Sequence, residues 1–199
     1  MLTLRPYHPS DLPALYRICQ ATGLNGKDAA GVVPDPDLIG HSYVGPYATL
    51  EPERSYVTVL ANEVVGYVLS TADCVRFHQR CESFWFPPLR CRYPLPTADD
   101  DTPAAKFVRT IHRGHVPSTN IDLCQYPANF HIDVLPEAQR KGMGRRLLSE
   151  LFANLRRSNI PGVHLYAARA NSDAIKFYER MGFRRLDDAE GAVGFGFVL

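Results

Sequence analysis

Two hydrophobic periods alternate along this chain. Leu2 to Arg5 read as a short strand, and Leu12, Leu15, Tyr16, Ile18 and Cys19 then recur on one helix face, entered at Ser10-Asp11 and left near Gly23. The stretch from Gly23 to Pro52 is rich in Gly, Pro and Asp and predicts irregular chain with at most a short helix. Ser55 to Leu60 and Val64 to Thr71 form a predicted hairpin about Ala61-Asn62-Glu63. Asp73 is placed to cap a helix carrying Val75, Phe77, Cys81 and Phe84, broken at Pro87-Pro88. Pro94 to Pro103 predicts a surface loop holding the Asp99-Asp100-Asp101 run, and Ala104 to Arg113 a helix.

The last third is the most regular. Asn129 to Leu135 alternates as a strand stopped at Pro136, and a glycine-bearing loop spans Gln139 to Gly144. Leu147, Leu148, Leu151, Phe152 and Leu155 then define a helix face, Gly162 opens a strand over Val163 to Ala168, and a helix from about Asn171 to Met181 ends at Gly182. Phe183 to Leu186 and Ala192 to Leu199 form a closing strand pair. This order predicts an α/β (α+β) fold: a mixed central sheet flanked by helices, in one domain over residues 1–199.

Composition narrows the function classes. Lys and Arg number 22 against 21 Asp and Glu, a net charge of +1, which argues against a dedicated DNA-binding module reliant on phosphate neutralisation. No apolar run is long enough to span a bilayer and Met1 to Pro6 lack an export-signal layout, so a soluble cytoplasmic protein is expected. The five cysteines (Cys19, Cys74, Cys81, Cys91, Cys124) are widely spaced, as expected of reduced structural thiols and not of a metal site. Gly114 and Pro117 mark a helix end, so His112 and His115 read as a surface pair and not as metal ligands.

The chemistry concentrates in the strand–loop–helix unit from Phe130 onward. A loop entering a helix exposes N–H groups without helical partners, and the helix dipole adds positive potential there. Gly142 and Gly144 let backbone approach a phosphate, and Arg140, Lys141, Arg145 and Arg146 supply cations suited to a pyrophosphate. Leu147 stands where a dinucleotide fingerprint needs its third glycine, and Gly144-Arg145-Arg146 is not the Gly-Lys-Ser/Thr of a P-loop. A plain strand-to-helix turn with solvated arginines fits the spacing as well.

Gln139-x-x-Gly142-x-Gly144, preceded by Val134-Leu135-Pro136 and followed by Leu147-Leu148, resembles the acyl-CoA pyrophosphate loop of the GNAT acetyltransferases. Asn171, Ala174 and the run Phe177-Tyr178-Glu179-Arg180-Met181-Gly182-Phe183 resemble that superfamily's second signature. Pro36 to Gly40, Tyr43 to Tyr47, Gly66 to Leu69, Trp85 to Pro87 and His131 to Pro136 look like the acetyltransferase-like C-terminal domain of O-GlcNAcase, and more like its free-standing bacterial relatives. There is no room for a glycosidase domain, so no sugar chemistry is carried over.

The resemblance implies a GNAT fold with a splayed strand pair, acetyl-CoA as co-substrate, no metal, and an unidentified amine as acceptor. It assigns residues 1–128 to the acceptor side and 129–199 to acyl-CoA binding. Backbone at Val134 and Leu135 would pair with pantetheine and polarise the thioester carbonyl. Gln139, Arg140, Lys141, Gly142, Met143, Gly144 and Arg145 would hold the pyrophosphate, Asn171 the pantetheine end, and Tyr178 would protonate the departing sulfur. The superfamily's usual base falls at Ala128, which has no basic group, and the position two nearer is Phe130. Asp133 is therefore the expected proton acceptor, with His131 and Asp173 as alternatives and a buried structural acid as the competing role for Asp133. Asp28, Tyr43, Tyr47, Trp85 and Tyr93 are candidate lining of the acceptor pocket. A catalytically silent acyl-CoA-binding or interaction module remains the alternative, histone acetylation a further reading, and the oligomeric state, a homodimer included, stays open.

Overall fold

The computed structural model describes residues 2–115 and 120–199. Strand β1 (Leu2–Pro6) leads into α1 (Leu12–Thr22), then α2 (Leu38–Tyr43) and α3 (Gly45–Leu50), the hairpin β2 (Tyr56–Leu60) and β3 (Glu63–Thr71), α4 (Cys74–Arg80) and α5 (Phe86–Arg92), and α6 (Pro103–Arg113). The second half runs β4 (Ala128–Val134), α7 (Met143–Arg157), β5 (Gly162–Ala168), α8 (Ser172–Arg180), β6 (Arg184–Asp187) and β7 (Ala192–Val198). One seven-stranded sheet orders them β1-β2-β3-β4-β5-β7-β6. Only the β4–β5 pair is parallel; every other neighbouring pair is antiparallel.

Alternation along the strands feeds two cores, one on each sheet face. Tyr67 and Leu69 of β3 turn toward Leu15, Ile18, Ile39, Val44, Phe77 and Phe86, while Val68 and Phe130 join Leu147, Leu148, Leu151, Phe195 and Tyr178. The leucine stripe of α7 is buried as its spacing requires, because only that face meets the sheet. The Ala61-Asn62 turn has both residues at positive φ, the geometry that matches the twist of a two-residue hairpin.

Three expectations need correction. The Gly- and Pro-rich stretch holds two short helices, not at most one: Leu38, Ile39, Tyr47 and Ala48 are buried on them. Gly40 is there for packing, since a Cβ would strike the Tyr16 ring, and Pro46 occupies a first turn where its missing N–H costs nothing. The helix after Asp73 does not break at Pro87-Pro88. A π turn over Cys81–Trp85 adds a residue and shifts the helical phase, so Phe86 points inward and Phe84 is 72% exposed. Val75 lies off the Cys74–Phe77–Cys81 face and is 41% exposed. Pro87 instead sits in the opening turn of α5.

The third correction concerns the histidine pair. His112 Nε2 meets Tyr93 O at 2.7 Å, and the His115 ring packs against Phe86 at 5.2 Å and Tyr43 at 6.3 Å, so neither ring is a free surface group. Pro117 lies outside the described residues. All five cysteines are free thiols, with Cys19, Cys74 and Cys81 buried. Among the described residues no helix is long and apolar enough to cross a membrane.

Burial, added to by neighbouring histidines and offset only in part by Asp73 and Glu82, pushes the His78 and His115 pKa values from 6.5 down to about 4. The unfolded chain therefore holds more protons than the folded one between those values, and stability falls as pH drops through that window. Urea midpoints at pH 7 and pH 5 should show this loss, at up to about 1.4 kcal/mol per pH unit for each fully linked histidine, and His78→Gln should flatten the slope.

Candidate functional site

The site begins where β4 and β5 separate. Their pairing consists of Ala128↔Val163 and Asn129↔His164 and then stops, although β4 runs on to Val134 and β5 to Ala168. Each strand keeps its outer partner: β4 stays with β3 through Gly66↔Val134, and β5 with β7 along its whole length. Asn129 fixes the parting point, its side-chain amide donating to His164 O at 3.2 Å and its carbonyl accepting from the Tyr47 hydroxyl at 2.8 Å.

Register decides which backbone groups face the gap. Leu135 N–H donates to Val65 O at 2.8 Å, so hydrogen-bonded pairs with β3 fall at Leu135, Asp133 and His131. The alternate residues, Ile132 and Val134, turn their backbone groups toward the opened side. Leu135 thus offers no donor to the gap, contrary to the expectation from sequence, while the Val134 N–H and the backbone of Ile132 face it. Gln139 Nε2 occupies Val134 O at 2.8 Å, tying the loop to the strand end.

The loop from residue 139 to 144 is held open by backbone conformation. Arg140 and Gly142 have φ of 56° and 79°, and Gly142 is the N-cap of α7 without any side-chain cap. The first helical bond is from Arg146 N–H to Gly142 O, which leaves the N–H groups of Met143, Gly144 and Arg145 unused by the helix. The side chain of Met143 is buried in the core, so only its backbone can serve a ligand. Gln139, Arg140 and Gly144 line the cleft; the side chains of Lys141 and Arg145 are exposed outside that lining. Gly144 has a second reason to lack a side chain, since a Cβ would stand 3.1 Å from the Phe177 ring.

Helix α8 supplies the opposite wall. Asn171 is its N-cap, accepting from Ala174 N–H at 3.1 Å, so the side-chain carbonyl is committed to the helix. Its amide faces Gly26 in the tight Leu24–Lys27 turn that follows α1. Tyr178 packs among Phe130, Phe183 and Phe195, yet it also lines the cleft. Burial, and then the charge of Asp133, raise its pKa far above 10, so its hydroxyl keeps its proton at neutral pH.

Together these walls enclose a cleft of roughly 1020 Å³ running from the α7 entrance, through the strand gap, to Cys19, Thr22, Ile39, Tyr43 and Phe107. Asp133 and His131 share one face of β4 there, their side chains 22% and 28% exposed. Tyr67 donates to Asp133 Oδ2 at 2.8 Å and lies 3.2 Å from His131 Nδ1. Burial raises the Asp133 pKa from its ordinary value, with His131, Tyr67 and Thr22 pulling the other way. Burial likewise lowers that of His131, against the pull of Asp133. Asp173 also lines the cleft, at the α8 entrance. Ala128 is fully buried in β4.

Of the expected acceptor-side residues only Tyr43 lines the cleft. Asp28 is exposed and accepts from Ala30 N–H, Tyr47 is spent on Asn129, and Trp85 donates its indole N–H to His41 O. Tyr93 donates to Asp35 Oδ2 on the outer side of α2. Sequence reading missed Tyr67, Thr22, Phe107, Ile132 and the Leu24–Lys27 turn. One signal existed, the turn pair Asn25-Gly26; Tyr67 meets His131 and Asp133 only through the β3–β4 register. Nothing in the sequence marks Phe107.

A family profile described as an acetyltransferase (GNAT) domain matches residues 103–185. The solved structure of SsHAT is 34% identical, superposes with a TM-score of 0.90, and is matched over 99% of this chain and 98% of that one. The chain belongs to the GNAT acetyltransferase family. Rat (Rattus norvegicus) protein O-GlcNAcase is 24% identical over 192 residues, which is 95% of this chain. The chain spans only 21% of that relative's length. A PaiA N-acetyltransferase from Thermoplasma acidophilum, solved in complex with coenzyme A, shares the fold with a TM-score of 0.61 at 14% identity, covering 100% of this chain and 99% of that one.

The Gly144–Phe177 contact is testable. Gly144→Val should cost about 1–3 kcal/mol by overpacking, and Phe177→Ala in the same chain should recover part of it. A double-mutant cycle by urea denaturation measures the coupling.

Proposed function

We propose that this protein is an acetyl-CoA-dependent N-acetyltransferase acting by direct transfer to an amine. The observation that carries the reading is the strand gap itself. It has the backbone groups of Ile132 and the Val134 N–H turned away from β3 on one edge, it runs into the uncapped entrance of α7, and it holds a proton donor and a proton acceptor at its far end. A gap of this kind suits an extended amide-bearing arm, since backbone N–H and C=O groups pair with amides as a sheet neighbour would.

Acetyl-CoA supplies an acetyl group activated as a thioester. The backbone of Ile132 would pair with the pantetheine, and the Val134 N–H would polarise the thioester carbonyl. The N–H groups of Met143, Gly144 and Arg145, with the Arg140 side chain, would take the pyrophosphate at the positive end of the α7 dipole. Gln139 acts indirectly by fixing the loop to Val134 O, and Asn171 by starting α8 and turning its amide toward the cleft. Lys141, beside this entrance, adds positive potential. Tyr178 holds a proton for the departing sulfur. An ammonium has no lone pair, so the acceptor must lose a proton first, and the Asp133–His131 pair is the buried group that receives it. No acyl-enzyme is needed, and the cysteines take no part.

Calorimetric titration with acetyl-CoA should show saturable binding, and a screen of amines and peptides should find one that releases free coenzyme A. With that acceptor, Tyr178→Phe should lower kcat about 10- to 100-fold while acetyl-CoA affinity stays within about twofold. Binding without release by any amine would favour a catalytically silent acyl-CoA-binding module. Absence of binding would overturn the proposal.

A further inference from the structure

We infer that the proton leaving the acceptor amine lands on His131 Nε2, and that Tyr67 is the positioning residue that keeps that nitrogen free. The inference deepens the transferase reading above and rests on it.

One hydroxyl sets the tautomer. Tyr67 is fully buried and its O–H carries a single proton. That proton is committed to Asp133 Oδ2, at 2.8 Å, because a carboxylate accepts and never donates when ionised. The hydroxyl oxygen can therefore only accept from the imidazole atom 3.2 Å away, His131 Nδ1. A neutral imidazole has one N–H, so placing it on Nδ1 leaves the lone pair on Nε2. His131 lines the cleft, and Nε2 is 3.8 Å from Asp133 Oδ2, too far to be engaged by a hydrogen bond.

The ring is also held in orientation. His131 is stacked between Tyr43, with centroids 5.4 Å apart and planes at 21°, and Tyr67, at 5.8 Å and 28°. These two tyrosines come from α2 and β3, so elements from both sides of the acceptor end clamp one imidazole. Other polar groups facing the cluster are Cys19 and Thr22 from α1 and Tyr178 from α8, which keeps its proton, with His115 beyond Tyr43. The Cys19 thiol is pushed well up by burial and stays neutral, and His115 is neutral near pH 7. Among the described residues Asp133 is thus the one charge beside the ring.

The step balances simply. An ammonium N–H bond breaks, an Nε2–H bond forms, and the amine keeps the freed electron pair. The resulting imidazolium finds the Asp133 carboxylate already in place at ion-pair distance. Asp133 accepts from Tyr67 and acts through His131, so its charge stabilises the product of the step instead of taking the proton itself.

Two measurements test this, one of them independent of turnover. Long-range proton–nitrogen NMR on the intact protein near pH 7 should show His131 protonated at Nδ1, and Tyr67→Phe should disturb that tautomer. Observation of the Nε2–H form in the wild type would overturn the inference while leaving the transferase reading intact. With the acceptor found above, His131→Gln should cost about 100-fold in kcat, leave acetyl-CoA affinity within about twofold, and remove the acidic limb of the pH–rate profile. Asp133→Asn should keep that limb but move it to lower pH, because the imidazolium loses its counter-charge. If His131→Gln retains both rate and limb while Asp133→Asn abolishes turnover, Asp133 is the direct acceptor and the inference is wrong. A wild-type protein that binds acetyl-CoA, shows the Nδ1–H form and acetylates nothing instead refutes the transferase reading and, with it, any proton transfer to His131.

Discussion

The whole arrangement depends on β4 and β5 being paired at one end and apart at the other. A parallel pair of strands lying in a continuous sheet would satisfy its backbone groups internally and leave nothing for a ligand. Here both strands are fully occupied by their outer partners, and the rung at Asn129 and His164 is the last they share. The Asn129 side chain braces that rung, and Tyr47 from α3 holds Asn129 in turn. Opening the sheet this way exposes polar backbone without unravelling either strand. Helices α7 and α8 then close the flanks, one offering unused N–H groups and the other a tyrosine.

Much of this was legible in the sequence because the C-terminal half is locally determined. The α7 leucines, the Gly182 stop and the alternation of β4 are each specified within a few residues, and the structure has all of them. The two signatures around Gly142 and Tyr178 point to a cleft wall each. What local pattern could not show is register. That Leu135 is spent on Val65 while Ile132 faces the gap follows only from how β4 pairs with β3, a long-range choice.

The N-terminal half was harder for a related reason. Gly40 and Gly45 look like breakers, yet they sit in or at the start of short helices where neighbouring rings press too close for any side chain. The π turn at Cys81–Trp85 changes phase with no residue type that announces it, so Phe84, expected on the inner face, is exposed and Phe86 is buried in its stead. Aromatic residues picked as acceptor-pocket lining proved to be braces: Tyr47 for Asn129, Trp85 for α2, Tyr93 for Asp35. Tyr67 carries no local mark of a site, because a tyrosine in the middle of a β strand reads as core, which it also is.

The contact between Gly144 and Phe177 ties two distant parts of the cleft together. Phe177 and Tyr178 are adjacent on one short helix, so the helix that touches the loop entrance also carries the hydroxyl at the other end. Loop and hydroxyl therefore cannot shift independently. On the function proposed above, that linkage would act as a ruler, since an acyl carrier with a shorter or longer arm would seat its anionic head and present its reactive atom out of step with Tyr178.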